Sequence, residues 1–226
     1  MLLGLLLAGV IAAAPPAPAP ALSPETQALM APVPEAVARV RAEQAALPPP
    51  KDDAERLLRM QALDQAPRTA WQAIDFGKIP AEERKAAYGI VARAWNEVDT
   101  ENLAALMRMM PTEGWFTISR YGRPAAHAAF LIAQHADLAL WRRLVPVLEP
   151  LVAKGEVEGR DYALMYDRLA ISEGRAQRYG SQVRCEGGRY VAYPIENPES
   201  VDIRRAAMGL PPEAEYMQKN YARPCG

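Results

Sequence analysis

The chain has 226 residues, 50% of them hydrophobic and 23% charged, and its formal net charge is −1. This near-neutral charge and the 7% aromatic content provide no basic surface for nucleic acid or an anionic membrane, which argues against nucleic-acid binding. The hydrophobic content is enough for one ordinary globular domain with its own core.

The first 21 residues have the pattern of a signal peptide. Residues 1–14 are apolar throughout, which is shorter than the ~20 residues that span a bilayer but typical of a signal-peptide core. Ala-Pro-Ala at 19–21 fits a cleavage motif, and Ala-Ala-Ala at 12–14 also fits, although no Lys or Arg precedes the apolar run. We therefore expect a periplasmic or secreted protein without stable membrane insertion, with an uncleaved anchor as the alternative.

The predicted mature chain divides into a linker and one domain. Residues 22–34 are rich in Ala and Pro and predict an extended linker, because proline fixes φ and lacks a backbone donor. Residues 35–226 predict a single, mainly helical globular domain, because apolar residues recur there at helical spacing. We expect a first helix over 35–47 and a second one that begins after a cap at Asp53. A third helix should run from Pro80 to a break at Asp99–Thr100, and a fourth from a cap at Thr100 to Pro111. The last three helices are expected over 124–136, 138–153 and 161–173.

Two segments depart from helical spacing. PTEGWFTISRYGRP (111–124) has Gly and Pro turn signals around a short strand-like run. SQVRC-EGG-RYVAY (181–193) has two β-type runs around a Gly-Gly turn, which predicts a hairpin. The predicted fold class is therefore mainly α, a helical array with one small C-terminal β-hairpin.

The chain contains two cysteines, Cys185 and Cys225. In an oxidising compartment this count predicts one disulfide that ties the C-terminus to the first hairpin strand, with two free thiols as the alternative. Neither cysteine has the CxxC spacing of a redox or zinc site. His127 and His135 do not have a zinc spacing either, so no metal and no cofactor is expected.

Three polar side chains, Gln134, His135 and Asp137, interrupt the apolar run AAFLIAQHADLALW (128–141). A helix that is apolar on all sides is normally buried, and each buried polar group without a partner costs roughly 1–3 kcal/mol. Partners are therefore expected elsewhere in the chain. Asp137 also has a simpler interpretation, as the N-cap of the helix that begins at Leu138.

The segment DYALMYDRLAISEG (161–174) supplies candidate partners in Asp167 and Arg168. A contact between His135 and Asp167 would fix the imidazole tautomer and raise its basicity, as in a general-base pair. The alternatives are a satisfied core histidine and a structural ion pair of Arg168. No nucleophile occurs at a diagnostic spacing, and the G-x-S-x-G motif is absent from the sequence.

Five short motifs occur in order: EGWF, AQHAD, MYDRLAISEG, QRYGSQ and DIRRAAMGL. In this order they resemble a bacterial family of uncharacterised domains that carries G-W-P, Q-H-A-D, D-R, Y-G-T-Q and V-D-x-R-R-x-x-G-L signatures, over about Trp71 to Tyr216. Phe116 replaces the proline of the first signature and Ser181 the threonine of the fourth. The resemblance implies no reaction, but it implies that eight residues form one unit: Gln134, His135, Asp137, Asp167, Arg168, Tyr179, Gly180 and Gln182.

Three functions remain open at this point. The first is binding of a small polar ligand or peptide by Gln134, Asp137, Arg168, Tyr179 and Gln182, in which Arg168 holds a carboxylate. The second is a hydrolase-like enzyme with His135 as general base and Asp167 as its orienting group. The third is a structural or scaffolding role, in which the polar residues form only a buried network.

Overall fold

The computed structural model describes residues 21–222 and 225, and it is mainly helical with one two-stranded sheet. This confirms the predicted fold class. The predicted signal peptide lies outside these residues, apart from Ala21. The helices are α1 Pro24–Met30, α2 Pro32–Ala45, α3 Asp53–Gln72, α4 Arg84–Met109, α5 Ile118–Tyr121, α6 Arg123–Ala133, α7 Leu138–Ala153, α8 Gly159–Ser172, α9 Val201–Ala207 and α10 Glu213–Tyr221, with strands β1 Val183–Glu186 and β2 Arg189–Ala192 between α8 and α9.

The predicted linker at 22–34 is wrong, because this segment forms α1 and the start of α2. The prolines occupy first-turn positions, where a helix does not need the missing N–H. The Ser23 side chain caps α1 by accepting from the Thr26 N–H at 3.3 Å. Met30 and Val33 are fully buried, so tertiary packing stabilises helices that composition alone does not indicate.

Helix α4 runs without a break, which contradicts the predicted interruption at Asp99–Thr100 and the predicted cap by Thr100. Its buried positions continue in helical register on both sides of the exposed Thr100, from Val98 to Asn102 and Leu106. The helix begins at Arg84, after the turn that follows Pro80, so the predicted start at Pro80 is too early. Helix α3 is capped by Asp52 and not by Asp53, the predicted cap. Continuous packing of α4 against α3 thus outweighs the local cap signal.

Helices α6 and α7 meet at a corner formed by residues 134–137. Helix α6 ends at Ala133, and Asp137 caps α7 by accepting from the Leu140 N–H at 2.9 Å. The N-cap interpretation of Asp137 is therefore confirmed. The three polar side chains interrupt the apolar run because the chain turns there, and they do not lie on one continuous helical face.

The main core joins α3, α4, α6, α7 and α8 around the buried rings of Trp115, Phe116 and Phe130. A second buried cluster joins α1 and the start of α2 to α4 through Met30, Val33 and Val91. Both clusters include residues of α3 and α4, so the two helices are packed at both ends of this interface.

The C-terminal part contains the predicted hairpin and disulfide. Strands β1 and β2 pair antiparallel, with Val183 opposite Ala192 and Glu186 opposite Arg189. Cys185 and Cys225 form a disulfide with an S–S distance of 2.05 Å, so the predicted bridge is confirmed. Among the described residues, no helix combines the length and the apolar character needed to cross a membrane.

Candidate functional site at the His135 cleft

An open cleft of about 640 Å³ lies where the α6–α7 corner meets α3, α4 and α8. We call it the His135 cleft. Its volume is in the range of ~300–1,000 Å³ that is typical of small-molecule sites. The lining residues are Arg68, Trp71, Gln72, Trp95, Asp99, Gln134, His135, Ala136, Trp141 and Arg168.

Arg68 and Asp99 form the floor of the cleft, and the buried Asp64 lies in contact with Arg68. Asp64 and Arg68 lie one helical turn apart on α3, and Asp99 lies opposite them on α4. Arg68 Nη2 donates to both carboxylate oxygens of Asp99, at 2.7 and 2.9 Å, while its Nη1 lies 3.2 Å from Asp64 Oδ1. Asp64 is fully buried. A buried carboxylate needs such partners, because an unpaired buried charge is strongly destabilising.

His135 completes this floor. Its Nδ1 lies 3.2 Å from Asp64 Oδ1 and 3.8 Å from Asp99 Oδ1. The contact with Asp64 orients the ring and engages Nδ1, so that Nε2 is the nitrogen left for a ligand or a proton. The predicted contact between His135 and Asp167 is therefore wrong. The actual partner is on α3, 71 residues earlier in the chain, where no local sequence signal points to His135.

Arg168, on α8, lines the opposite side of the cleft. Its Nη1 donates to the backbone oxygen of Gln134 at 2.7 Å, and the guanidinium lies 5.8 Å from the ring centroid of Trp141. No carboxylate lies within salt-bridge distance of it in the part of the chain that the structure describes. Burial lowers the pKa of Arg168 below its usual value, because desolvation disfavours the charged form.

Three of the four tryptophans of the chain line this cleft: Trp71, Trp95 and Trp141. Trp71 and Trp95 contact each other edge to face, with centroids 5.9 Å apart. Arg68 lies 5.7 Å from the ring centroid of Trp95, in the same way that Arg168 lies over Trp141. Each arginine of the cleft is thus held against an indole ring.

Tyr179, Gly180 and Gln182 belong to residues 178–182, which we call the 178–182 loop, and Asp167 faces this loop from α8. Asp167 is fully buried and accepts three backbone hydrogen bonds, from Arg178 at 2.7 Å, Tyr179 at 3.0 Å and Ser181 at 2.9 Å. Burial raises the pKa of Asp167, and the three N–H donors offset part of the rise. This carboxylate therefore shapes the loop and does not face the His135 cleft.

Tyr179 and Gln182 also belong to the structure of this loop. Tyr179 is 3% exposed and packs edge to face against the rings of Tyr162 and Tyr166. The backbone of Gln182 exchanges two hydrogen bonds with the buried side chain of Gln177, at 2.9 and 3.0 Å. The residues that were expected to form one unit thus separate into a cleft group (Gln134, His135, Arg168) and a loop group (Asp167, Tyr179, Gly180, Gln182), with Asp137 as a helix cap.

Comparison with known proteins gives one match. The model of a family of unknown function, DUF6624, matches residues 51–222. The chain belongs to this family. Every residue that lines the His135 cleft falls inside the matched region, whereas α1 and α2 precede it. No curated protein and no solved structure matches the chain.

The membership confirms the resemblance at the level of a family, and the individual signature motifs stay a prediction. The sequence-based expectation missed Asp64, Arg68 and Asp99, which lie far from the quoted motifs. The i, i+4 spacing of Asp64 and Arg68 on a predicted helix was the available signal, but such pairs are common on helix surfaces.

Asp64, Asp99 and His135 also offer ligand atoms that all lie within 4.8 Å of one another. This spacing is close enough for one metal ion, and oxygen and imidazole ligands suit divalent transition metals. The guanidinium of Arg68 already contacts both carboxylates. A metal ion at this position would have to displace Arg68.

A second histidine–aspartate pair lies at the other end of α6. His127 Nδ1 lies 2.8 Å from Asp161 Oδ2, and the Asp161 side chain is 3% exposed. Its other oxygen, Oδ1, lies 3.6 Å from Arg160 Nε but has no hydrogen-bond partner among the described residues, and Asp161 lines a cavity of about 10 Å³. A cavity of this size holds about one water molecule, which is the simplest partner for that oxygen.

Proposed function

We propose that the His135 cleft binds a small polar ligand that carries an anionic group. The observation that carries this proposal is the Arg168 guanidinium, which is partly buried and has one carbonyl partner but no carboxylate partner in the described chain. A cation that is partly removed from water is stabilised when a counter-charge is supplied. A ligand carboxylate or phosphate would supply that charge and accept the remaining guanidinium donors.

The other charges of the cleft support the same sign of ligand. Asp64 and Asp99 are both engaged by Arg68, and His135 adds a further contact to each of them. Each carboxylate thus has a cationic partner in Arg68, which the two share. Arg168 has no carboxylate partner in the described chain, so the side of the cleft formed by Arg168 favours an anion over a cation.

The test is a binding titration of the mature protein with small acids, acetate and inorganic phosphate among them. Replacing Arg168 by Gln should weaken the binding of the acid by about 10- to 100-fold, because a charge-assisted hydrogen bond is lost. Arg142→Gln is the matched control, because Arg142 lies on the surface of α7 in a salt bridge with Glu173 and does not line the cleft. Equal affinity of wild type and Arg168→Gln, or no binding of any small acid to the wild type, would refute the proposal.

A second candidate function is hydrolysis with His135 as general base. The observation in its favour is the contact of Nδ1 with the buried Asp64, which leaves Nε2 to take a proton from water. Asp64 replaces Asp167 as the orienting group in this hypothesis. If a screen with ester and amide substrates detects an activity, His135→Gln should abolish it and Asp64→Asn should reduce it strongly. A folded His135→Gln protein that retains the activity would eliminate this candidate.

We also propose that the protein is exported and acts in the periplasm or outside the cell. The signal-like pattern of residues 1–21 and the disulfide between Cys185 and Cys225 support this proposal, because disulfides persist in oxidising compartments. Fractionation of cells that express the full chain, followed by N-terminal sequencing, tests it. An uncleaved N-terminus in the cytoplasmic fraction would contradict export.

A further inference from the structure

Three of the four tryptophans of the chain line the His135 cleft. Trp115, which lies outside the cleft, is 1% exposed and belongs to the core. Trp71, Trp95 and Trp141 are partly buried and line the cleft. All three pack against the buried clusters of the core and also line the cleft. Three indole rings at the surface of one cleft indicate a wall that a ligand can contact.

Polar groups beside this wall still have hydrogen bonds to offer. Trp95 Nε1 is buried and has no acceptor among the described residues, whereas Trp141 Nε1 donates to the backbone oxygen of Ala133 at 3.2 Å. The side-chain amides of Gln72 and Gln134 line the cleft and make no hydrogen bond within the described part of the chain. The amides of Gln72 and Gln134 are therefore free to form hydrogen bonds with a polar ligand in the cleft.

We propose that the ligand is a ring that carries an acid group. The ring packs against the wall formed by Trp71, Trp95 and Trp141, and the acid group binds Arg168. Hydroxyl or carbonyl groups on the ring hydrogen-bond to the amides of Gln72 and Gln134. This inference rests on the proposed anion binding and adds the second half of the recognition.

Two kinds of ring present a flat apolar face to tryptophan: a sugar ring and an aromatic ring. Both share the chemistry that the wall recognises, and the acid group is common to both. The cleft volume of about 640 Å³ accommodates either ring with its acid substituent. The experiment therefore contains one arm for each ring.

The experiment uses the mature, disulfide-bonded protein labelled with ¹⁵N, whose four indole N–H signals report on the four tryptophans. The sugar arm compares glucuronate with gluconate, an open-chain sugar acid that has the same number of carbon atoms. The aromatic arm compares benzoate with hexanoate. We expect one cyclic acid to bind at least about fivefold more tightly than its open-chain counterpart and to shift the signals of Trp71, Trp95 and Trp141. The signal of the core residue Trp115 serves as the internal reference.

Variants locate the ring. Trp71→Leu should remove the advantage of the cyclic acid while leaving the affinity for the open-chain acid within about twofold. Tyr88→Leu is the matched control, because the ring centroid of Tyr88 lies 5.9 Å from that of Trp71 but Tyr88 does not line the cleft. Melting curves of both variants establish that they fold, and Trp71→Phe, which retains a ring, should recover part of the affinity.

The outcomes separate the two proposals. Cyclic and open-chain acids that bind equally well, both dependent on Arg168, would overturn the ring and leave the anion site intact. Binding of neutral glucose or benzyl alcohol as tightly as the acids would retain the wall but refute the anion site. Failure of all four acids to bind would overturn both proposals. A preference in one arm alone supports the inference and identifies the type of ring.

Discussion

The two sides of helix α8 differ in how fully their polar groups are satisfied. Asp167 faces the 178–182 loop and accepts three backbone hydrogen bonds. Arg168, the next residue, faces the His135 cleft and has one carbonyl partner. Neighbouring residues of one predicted D-R signature therefore have opposite surroundings. A saturated polar network stabilises a structure, whereas unused donors in a cleft indicate a binding site.

Other residues of the two regions are less sharply divided. In the loop, the buried side chain of Arg205 donates to the backbone oxygens of Tyr179 and Pro211, and Gln177 bridges the loop to Tyr193. Arg205 Nη2 and, beside the cleft, Trp95 Nε1 both lack an acceptor in the part of the chain that is described. From the contrast between Asp167 and Arg168 we infer that the loop contributes to stability and the cleft to function, and substitutions in each region can break or sharpen this assignment.

The largest effect is expected for Asp167→Ala. The substitution leaves three backbone N–H groups without an acceptor, two of them on buried Tyr179 and Ser181, and should lower the free energy of unfolding by about 3–5 kcal/mol. Urea unfolding measures the loss. Asp137→Ala is the matched control, since that exposed carboxylate accepts one cap hydrogen bond and its removal should cost about 1 kcal/mol. Equal losses in the two variants would show that Asp167 does not hold the loop.

A smaller loss is expected for Gly180→Ala in the same loop. Gly180 has φ +66°, and an added Cβ would lie 2.9 Å from Ile195 Cδ1. The left-handed backbone and the close contact together should cost about 1–3 kcal/mol. Gly187→Ala separates the two causes, because Gly187 has φ +58° with no atom within 4 Å of the added Cβ. A melting temperature for Gly180→Ala at or above that of Gly187→Ala would exclude the steric contribution.

On the cleft side, His135→Ala should change stability by about 1 kcal/mol or less. Asp64 retains its contacts with Gln65 Nε2 at 2.6 Å and with Arg68 at 3.2 Å after the imidazole is removed. Urea unfolding beside the wild type measures the difference. A loss as large as that of Asp167→Ala would make His135 a structural partner of Asp64 and would remove the contrast between the two regions.

The smallest effect concerns α1, which lies outside both regions. Hydrogen bonds from Thr26 and Ser23 lower the pKa of Glu83 below its ordinary value of 4.5. Because the pKa in the folded state is the lower one, this carboxylate stabilises the protein above about pH 4.5, and the contribution is lost as the pH falls below it. Glu83→Gln should therefore reduce the drop in melting temperature between pH 7 and pH 4. The same drop in both proteins would contradict this role of Glu83.

Local signals in the sequence predicted much of the C-terminal two thirds of the chain. Helix α7 was predicted with the bounds at which it forms, and its cap at Asp137 and the Gly-Gly hairpin were also correct. Each of these features depends on residues within a few positions of one another, through side-chain caps, glycine with positive φ and apolar spacing. The disulfide was predicted because the chain offers a single pairing of its cysteines.

The predictions failed where distant residues decide the structure. The prolines of 22–34 suggested a linker, but burial of Met30 and Val33 against α4 stabilises helices there. Thr100 suggested a cap, but the buried face of α4 continues past it. His135 was assigned to Asp167 because both lie in motifs, yet Asp64 is its partner from α3.

The sequence by itself determined the mainly helical class, the bounds of α7 and the hairpin, because backbone propensities, caps and turn residues act locally, and it determined the disulfide because the chain has two cysteines. It also marked Gln134, His135 and Arg168 as unusual polar residues. Only the tertiary structure decided that these three residues line one cleft with Arg68 and three tryptophans, and that His135 contacts Asp64. It also decided that Asp167 faces the opposite side of α8. The physical reason is that adjacent helical residues point in different directions, about 100° apart, so that their partners depend on which helices pack against each side.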